Sequence, residues 1–217
     1  MGCVLTVNVA VVRTDAWTGR QGRSGIDKRP VEGPVHVGRV GLRGDTICDL
    51  TFHGGVDRAV YVFAHEDFSW WSSLLDRDIP PGGFGENLTS VGMDVTGARI
   101  GEIWAVGSAV VQVTAPRTPC RVFAGFWDVP DLVARFSRRG TPGAYLRVLT
   151  VGEVAAGDPV TVLHRPDHGI TVGQVFRAVM TDPDELPALG GITDLLPEDI
   201  RHRVQRRLAR SAASAGG

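Results

Sequence analysis

Lysine is almost missing from this chain: of 23 basic residues, only position 28 is lysine and the others are arginine. Cysteine is scarce as well, with Cys3, Cys48 and Cys120 making up the whole set. Three scattered thiols exclude a disulfide framework and a Cys-x-x-Cys zinc site. No stretch of about 18 apolar residues exists, which excludes a membrane-spanning helix. A hydrophobic content of 43% and a net charge of -1 exclude a chain that stays unfolded. That charge also lacks the strongly basic footprint of a nucleic-acid binder. The segment Met1 to Thr14 has no positive stretch ahead of its apolar residues, and Thr6 and Asn8 interrupt them, so it is not read as a secretory signal. A reducing, cytoplasmic setting follows as the default. Met1-Gly2-Cys3-Val4-Leu5-Thr6 fits a myristoylation pattern. Its alternation reads instead as the start of a strand with Leu5, Val7, Val9 and Val11 on one face.

What the chain does have is punctuation: 28 glycines and 13 prolines in 217 residues favour short strands and turns over long helices. Strands are predicted at 4–13, 35–42, 46–53, 59–63, 102–106, 109–114, 143–150 and 159–164. In 46–53 Cys48, Leu50 and Phe52 share one face, and Asp49, Thr51 and His53 the other, which faces something polar. Cys3 and Cys48 read as small core residues. Residues 64–75 are predicted to form a helix with Phe68, Trp71 and Leu75 inward, and Gly107-Ser108 a hairpin turn. A helix over 128–139 would have Asp128 as its N-cap and Pro130 in its first turn. The character changes at 165–169. Thr171 to Gln174 is a capping-box pattern, and short helices are predicted at 171–180, 183–189 and 197–211. In the last, Ile200, Val204 and Leu208 form an apolar stripe, with Arg201, Arg203, Arg206, Arg207 and Arg210 as a solvated face. The division expected is 1–164, a helical unit over 169–211, and a flexible tail over 212–217.

Four segments could carry chemistry. Ala115-Pro116-Arg117-Thr118-Pro119-Cys120-Arg121 puts a thiol between two arginines in a loop stiffened by two prolines. Cations beside a thiol stabilise the thiolate, which suits a nucleophile or a metal ligand; the alternative is a structural cysteine in a turn. Phe84-Gly85-Glu86-Asn87 follows a Gly/Pro loop that permits close approach to a ligand. His53-Gly54-Gly55-Val56-Asp57-Arg58 could cradle an anion or simply form a tight turn with a surface ion pair. Gly25 to Val31 is a basic loop ahead of a strand and holds Lys28, a point charge that arginine does not replace at a demanding site. His164 and His168 have metal-like spacing, but Pro166 breaks the helix that would align them, so they read as linker residues. No phosphate-binding glycine motif and no nucleophile elbow is present.

Taken in order, GIDKRPV, FHGGVDRAVY, GGFGENL and RIGEIWAVGSAVVQVTAPRTPCR resemble the MOSC domain family, named for the C-terminal domain of molybdenum cofactor sulfurases. Residues 168–210 look like the three-helix appendage of its YiiM-like subgroup. The resemblance implies a mainly β fold, a barrel similar to the small barrel of pyruvate kinase, with peripheral helices and a small C-terminal three-helix unit. It implies molybdenum cofactor as the bound group, with Cys120 as the protein ligand to molybdenum. It further implies reduction of N-hydroxylated compounds, N-hydroxylated purine bases among them, to amines, with electrons from a separate reductase and no membrane; a homodimer is left open. Lys28 and Arg29 would pair with the cofactor's phosphate or pterin oxygen. His53, Gly54, Gly55, Asp57 and Arg58 would hold the cofactor or shape the pocket. Gly85, Glu86 and Asn87 would contact pterin or substrate, and Arg117 would steady the thiolate or an oxo group. Two other readings stand beside this one. A pyridoxal phosphate or persulfide sulfur-transfer protein would use Lys28 or Cys120. A non-enzymatic cofactor- or nucleic-acid-binding module would use the basic last helix.

Overall fold

The structure is a computed structural model that describes residues 2–49 and 53–215. Its strands are β1 (Gly2–Ala10), β2 (Lys28–Val31), β3 (Val35–Gly38), β4 (Gly41–Leu42), β5 (Val60–Ala64), β6 (Leu88–Val91), β7 (Ile103–Val106), β8 (Ala109–Pro116), β9 (Ala144–Thr150), β10 (Gly152–Val154) and β11 (Pro159–His164). Its helices are α1 (Glu66–Leu75), α2 (Arg121–Trp127), α3 (Leu132–Arg139), α4 (Val172–Met180) and α5 (Glu198–Ala215), with 3-10 segments at Ala16–Gln21, Val56–Arg58 and Pro183–Leu195.

Seven strands close a barrel in the order β11-β7-β8-β9-β5-β6-β1, and β1 returns to β11 through the pair Gly2 and Val160. Closure satisfies the strand edges that an open sheet leaves exposed. Among the described residues only β5 and β6 pair in parallel. The later half of β1 also pairs with β2, so Lys28 lies opposite Ala10. A separate three-stranded sheet joins β10, β3 and β4.

Several local expectations change. An irregularity between Val4 and Thr6 shifts the alternation of β1, so Val4 and Val7 enter the core while Leu5 and Val11 are exposed. Residues 35–42 form a hairpin, not one strand. Residues 46–49 are irregular and serve as wall, not sheet; the rest of that expected strand, Leu50 to Phe52, lies outside the described residues. Lys28–Val31 is strand rather than loop. Asp128 does not open a helix: with φ at 53° it closes α2, and Pro130 follows before α3 begins.

The core is rich in rings. Trp71 stacks on Phe136 at 5.6 Å, and Phe84 meets Phe63 and Phe123 edge-on at 5.2 and 5.1 Å. Phe136 touches Phe176 of α4, so the packing runs on into the C-terminal helices. The Thr171–Gln174 capping box forms as expected, each residue accepting a hydrogen bond from the other's backbone N–H. The arginines of α5 do more than face solvent: Arg201 donates to the carbonyls of Thr193 and Leu196, Arg203 to that of Val179, and Arg207 pairs with Asp184. α5 is helical to Ala215, so residues 212–215 belong to it. Among the described residues no helix is long and apolar enough to cross a membrane.

Candidate active site

Strand β8 ends at Pro116, and the chain turns through Arg117-Thr118-Pro119 into Cys120, the N-cap of α2. Fixed proline φ angles hold this turn where a thiol can sit at a helix entrance. Cys120 opens onto a cavity of about 500 Å3. Burial pushes the thiol up, but a hydrogen bond with His53, the Arg117 charge and the Phe123 N–H outweigh it and bring it down to about 7. Near neutral pH the group is therefore partly thiolate.

Arg117 is only 4% exposed. Its guanidinium lies 4.3 Å from the centre of the Phe123 ring and 5.5 Å from that of Phe136, and its Nη1 has no hydrogen-bond partner. A buried cationic donor left unsatisfied is costly. An anionic or oxygen-bearing ligand in the cavity would answer it.

The chain has two tyrosines, Tyr61 and Tyr145, and both line this cavity. The Tyr145 hydroxyl lies 3.3 Å from His53 Nδ1. Burial raises Tyr145 above the ordinary phenol range, which keeps its proton on oxygen. Lys28, another lining residue and 8% exposed, reaches both carboxylate oxygens of Asp45 at 2.5 Å. Burial lowers its pKa while Asp45 opposes the shift. Asp45 also accepts from the Ala10 N–H and from Asn87 Nδ2, each at 2.8 Å. Lys28 thus lines the cavity with its charge already balanced. Gly82 makes this possible: a Cβ there would sit 2.2 Å from the Lys28 carbonyl, and its φ is +86°.

Residues 49–161 match the model of the MOSC domain, more than half of the chain. The chain belongs to the MOSC domain family. YflK of Bacillus subtilis (strain 168) is 36% identical over 186 residues, 86% of this chain and 84% of that protein. The crystal structure of YiiM from Geobacillus stearothermophilus superposes with a TM-score of 0.80 at 28% identity, covering 96% of this chain and all of that one. A protein of Gibberella moniliformis (strain M3125 / FGSC 7600) named "Reductase" is 29% identical over 97% of this chain, which spans 38% of that protein's length. The MOSC domain is associated with molybdenum cofactor at the level of the family.

Of the residues singled out in this MOSC sequence, Cys120, Arg117, Lys28, His53, Arg58, Gly85 and Asn87 line one cavity. Others are not among its lining residues. Arg29 points off the opposite face of β2 and pairs with Asp27. Gly54 and Gly55 shape the turn behind His53, Gly55 with φ at 91°. Asp57 is bound to Arg147 at 2.6 Å. Glu86 is fully buried and braces the Gly/Pro loop, accepting from the Gly82 and Phe84 N–H groups and the Thr89 hydroxyl. Sequence reasoning missed Asp45, Tyr61, Tyr145 and the wall from Thr18 to Ser24. It also placed Cys48 in the core, whereas Cys48 lines the cavity. The scarcity of tyrosine was the one available signal.

Burial pushes Glu86 up to about 7 from 4.5. The folded state therefore binds this proton more tightly than the unfolded chain. The associated stability is complete below about pH 4.5 and is lost as pH rises through about 7, roughly 3 kcal/mol in all. Chemical unfolding of wild type and Glu86→Gln across this range should show the difference moving by about that amount in favour of the glutamine variant as pH rises. A difference flat in pH would contradict the assignment.

Proposed function

We propose that this chain binds molybdenum cofactor in the cavity, with Cys120 as the protein ligand to molybdenum, and reduces N-hydroxylated compounds, including N-hydroxylated purine bases, to amines. The observation that carries this reading is the Cys120 thiol, lowered toward neutrality beside an unpaired buried guanidinium on the wall of a cavity large enough for a pterin. Among the described residues no group of three His, Cys, Asp or Glu side chains could hold a metal. A metal at Cys120 would draw further ligands from its own cofactor, as a dithiolene provides. Thiolate is a soft donor suited to such a metal.

When bound, the cofactor supplies two-electron and oxygen-transfer chemistry. The overall change is R–NHOH plus two electrons and two protons giving R–NH2 and water. The chain's own residues set the stage. Arg117 Nη1 is placed to donate to an oxygen near the thiol. His53 favours the thiolate and is itself held by Tyr145. The Lys28–Asp45–Asn87 network fixes part of the wall, and Gly85, whose Cβ would press on Ile26 at 3.1 Å, allows close packing there. The two tyrosine rings give the cavity flat apolar surface against which a planar base can lie. A separate reductase supplies electrons. The engagement of Lys28 by Asp45 removes the free amine that a pyridoxal phosphate reading needs. The bonds of the α5 arginines to carbonyls remove much of the case for nucleic acid.

The test is elemental analysis of protein purified from a host that makes the cofactor, together with reduction of an N-hydroxylated purine by dithionite-reduced viologen. About one molybdenum per chain and steady amine formation are expected. Metal-free protein from such a host, or loaded protein without turnover, would overturn the reading.

A further inference from the structure

The turn from His53 to Arg58 has little regular backbone structure of its own. Gly55 takes a positive φ, a single 3-10 turn follows, and Arg58 N–H returns to the Gly55 carbonyl at 3.1 Å. Side chains hold it in place from two sides. On the barrel side Asp57 pairs with Arg147 of β9, and the Asp57 carbonyl accepts from Thr114 of β8. On the other side Arg58 reaches Asp199, in the first turn of α5, at 2.6 Å. The two residues are far apart in the chain, with a separation of 141.

Arg58 also lines the cavity, with its guanidinium carbon 5.9 Å from the centre of the Tyr145 ring. Tyr145 contacts His53, and His53 lines the cavity together with Cys120. A run of contacts therefore leads from the C-terminal helix to His53, on the wall of the cavity that Cys120 lines. We infer that Asp199 is a positioning residue: the helical appendage fixes Arg58, and through it the turn that carries His53, against the cavity wall.

The exposures of the pair set what its removal should do. Arg58's side chain is 14% exposed and that of Asp199 61%, so the carboxylate remains largely hydrated. Such a pair contributes little to global stability and is screened by salt. Its effect is local, on a segment that lacks other regular bonding. The α5 helix keeps Ile200 and Val204 buried whether or not Asp199 is charged, so it stays docked.

Hydrogen exchange followed by mass spectrometry decides this, and only its kinetic companion rests on the reductase reading. In Asp199→Asn, a peptide covering 53–58 should exchange about 5-fold faster than in wild type, while β9 and the rest of α5 keep wild-type rates. Asp199→Glu, which preserves the charge and can still reach Arg58, should restore slow exchange. In the loaded enzyme Asp199→Asn should raise KM several-fold with kcat within about two-fold. Unchanged exchange at 53–58, acceleration spread over all of α5, or a loosened turn with unchanged KM each overturns the inference. A wild-type protein without turnover would instead overturn the reductase reading, and the exchange measurement would still decide the role of Asp199.

Discussion

Cys120→Ser should abolish reduction of N-hydroxylated substrates, by at least about 100-fold, since disturbing even the outer partners of metal ligands costs 10–100-fold. The same variant should keep or slightly gain stability. The reason lies in the position itself. Cys120 is the N-cap of α2, with extended backbone angles, and its side chain makes no capping hydrogen bond to the helix. Serine is among the preferred residues at such a position, where its oxygen can accept from a free N–H of the first turn, worth about 1 kcal/mol relative to a residue that does not cap. Yet a serine hydroxyl stays protonated near neutral pH and is a hard oxygen donor, unsuited to the metal a soft thiolate holds. Chemistry and stability therefore part in opposite directions at one atom. The check is a viologen-coupled assay beside a thermal melt. Retained turnover in the serine variant would remove Cys120 from the mechanism, whereas lost turnover with a collapsed melt would make the cysteine structural.

The second large effect concerns the Lys28–Asp45 pair. Asp45→Ala should destabilise the protein by about 3–5 kcal/mol, the range for breaking a buried ion pair by deleting one partner. Asp45 is the acceptor for Lys28 Nζ, the Ala10 N–H and Asn87 Nδ2 together. Its loss strands a buried ammonium and two neutral donors at the junction of β1 and β2. Lys28 can relieve part of this by shedding its proton, since burial already lowers its pKa. The double variant Lys28→Met, Asp45→Ala should recover a good share of the loss, because the uncompensated charge is gone. Urea unfolding midpoints of wild type, single and double variants measure this directly. A single variant that loses less than about 1 kcal/mol would show that the pair is not shielded from water.

The features legible in the sequence are those whose cause lies within a few residues. The Pro-bracketed turn at Cys120, the hairpin at Gly107-Ser108 and the capping box at Thr171–Gln174 each depend on neighbours in the chain, and residue types alone select them. The inward face of β1 is not legible in its own alternation, because the irregularity beside Leu5 arises in its pairing with β6. The start of the helix after Asp128 is not legible either, because a left-handed aspartate that closes a helix looks the same in sequence as an N-cap that opens one.

The sequence by itself determined a strand-rich chain of a recognisable family pattern, with Cys120 after a turn bracketed by Pro116 and Pro119. The tertiary structure alone decided its company. Asp45 meets Lys28 across 17 residues, Tyr145 meets His53 across 92, and Asp199 meets Arg58 across 141. Closing the barrel and docking α5 bring these pairs together, and a charge or hydroxyl has no periodicity that would announce, from its place in the chain, which distant partner the fold will bring to it.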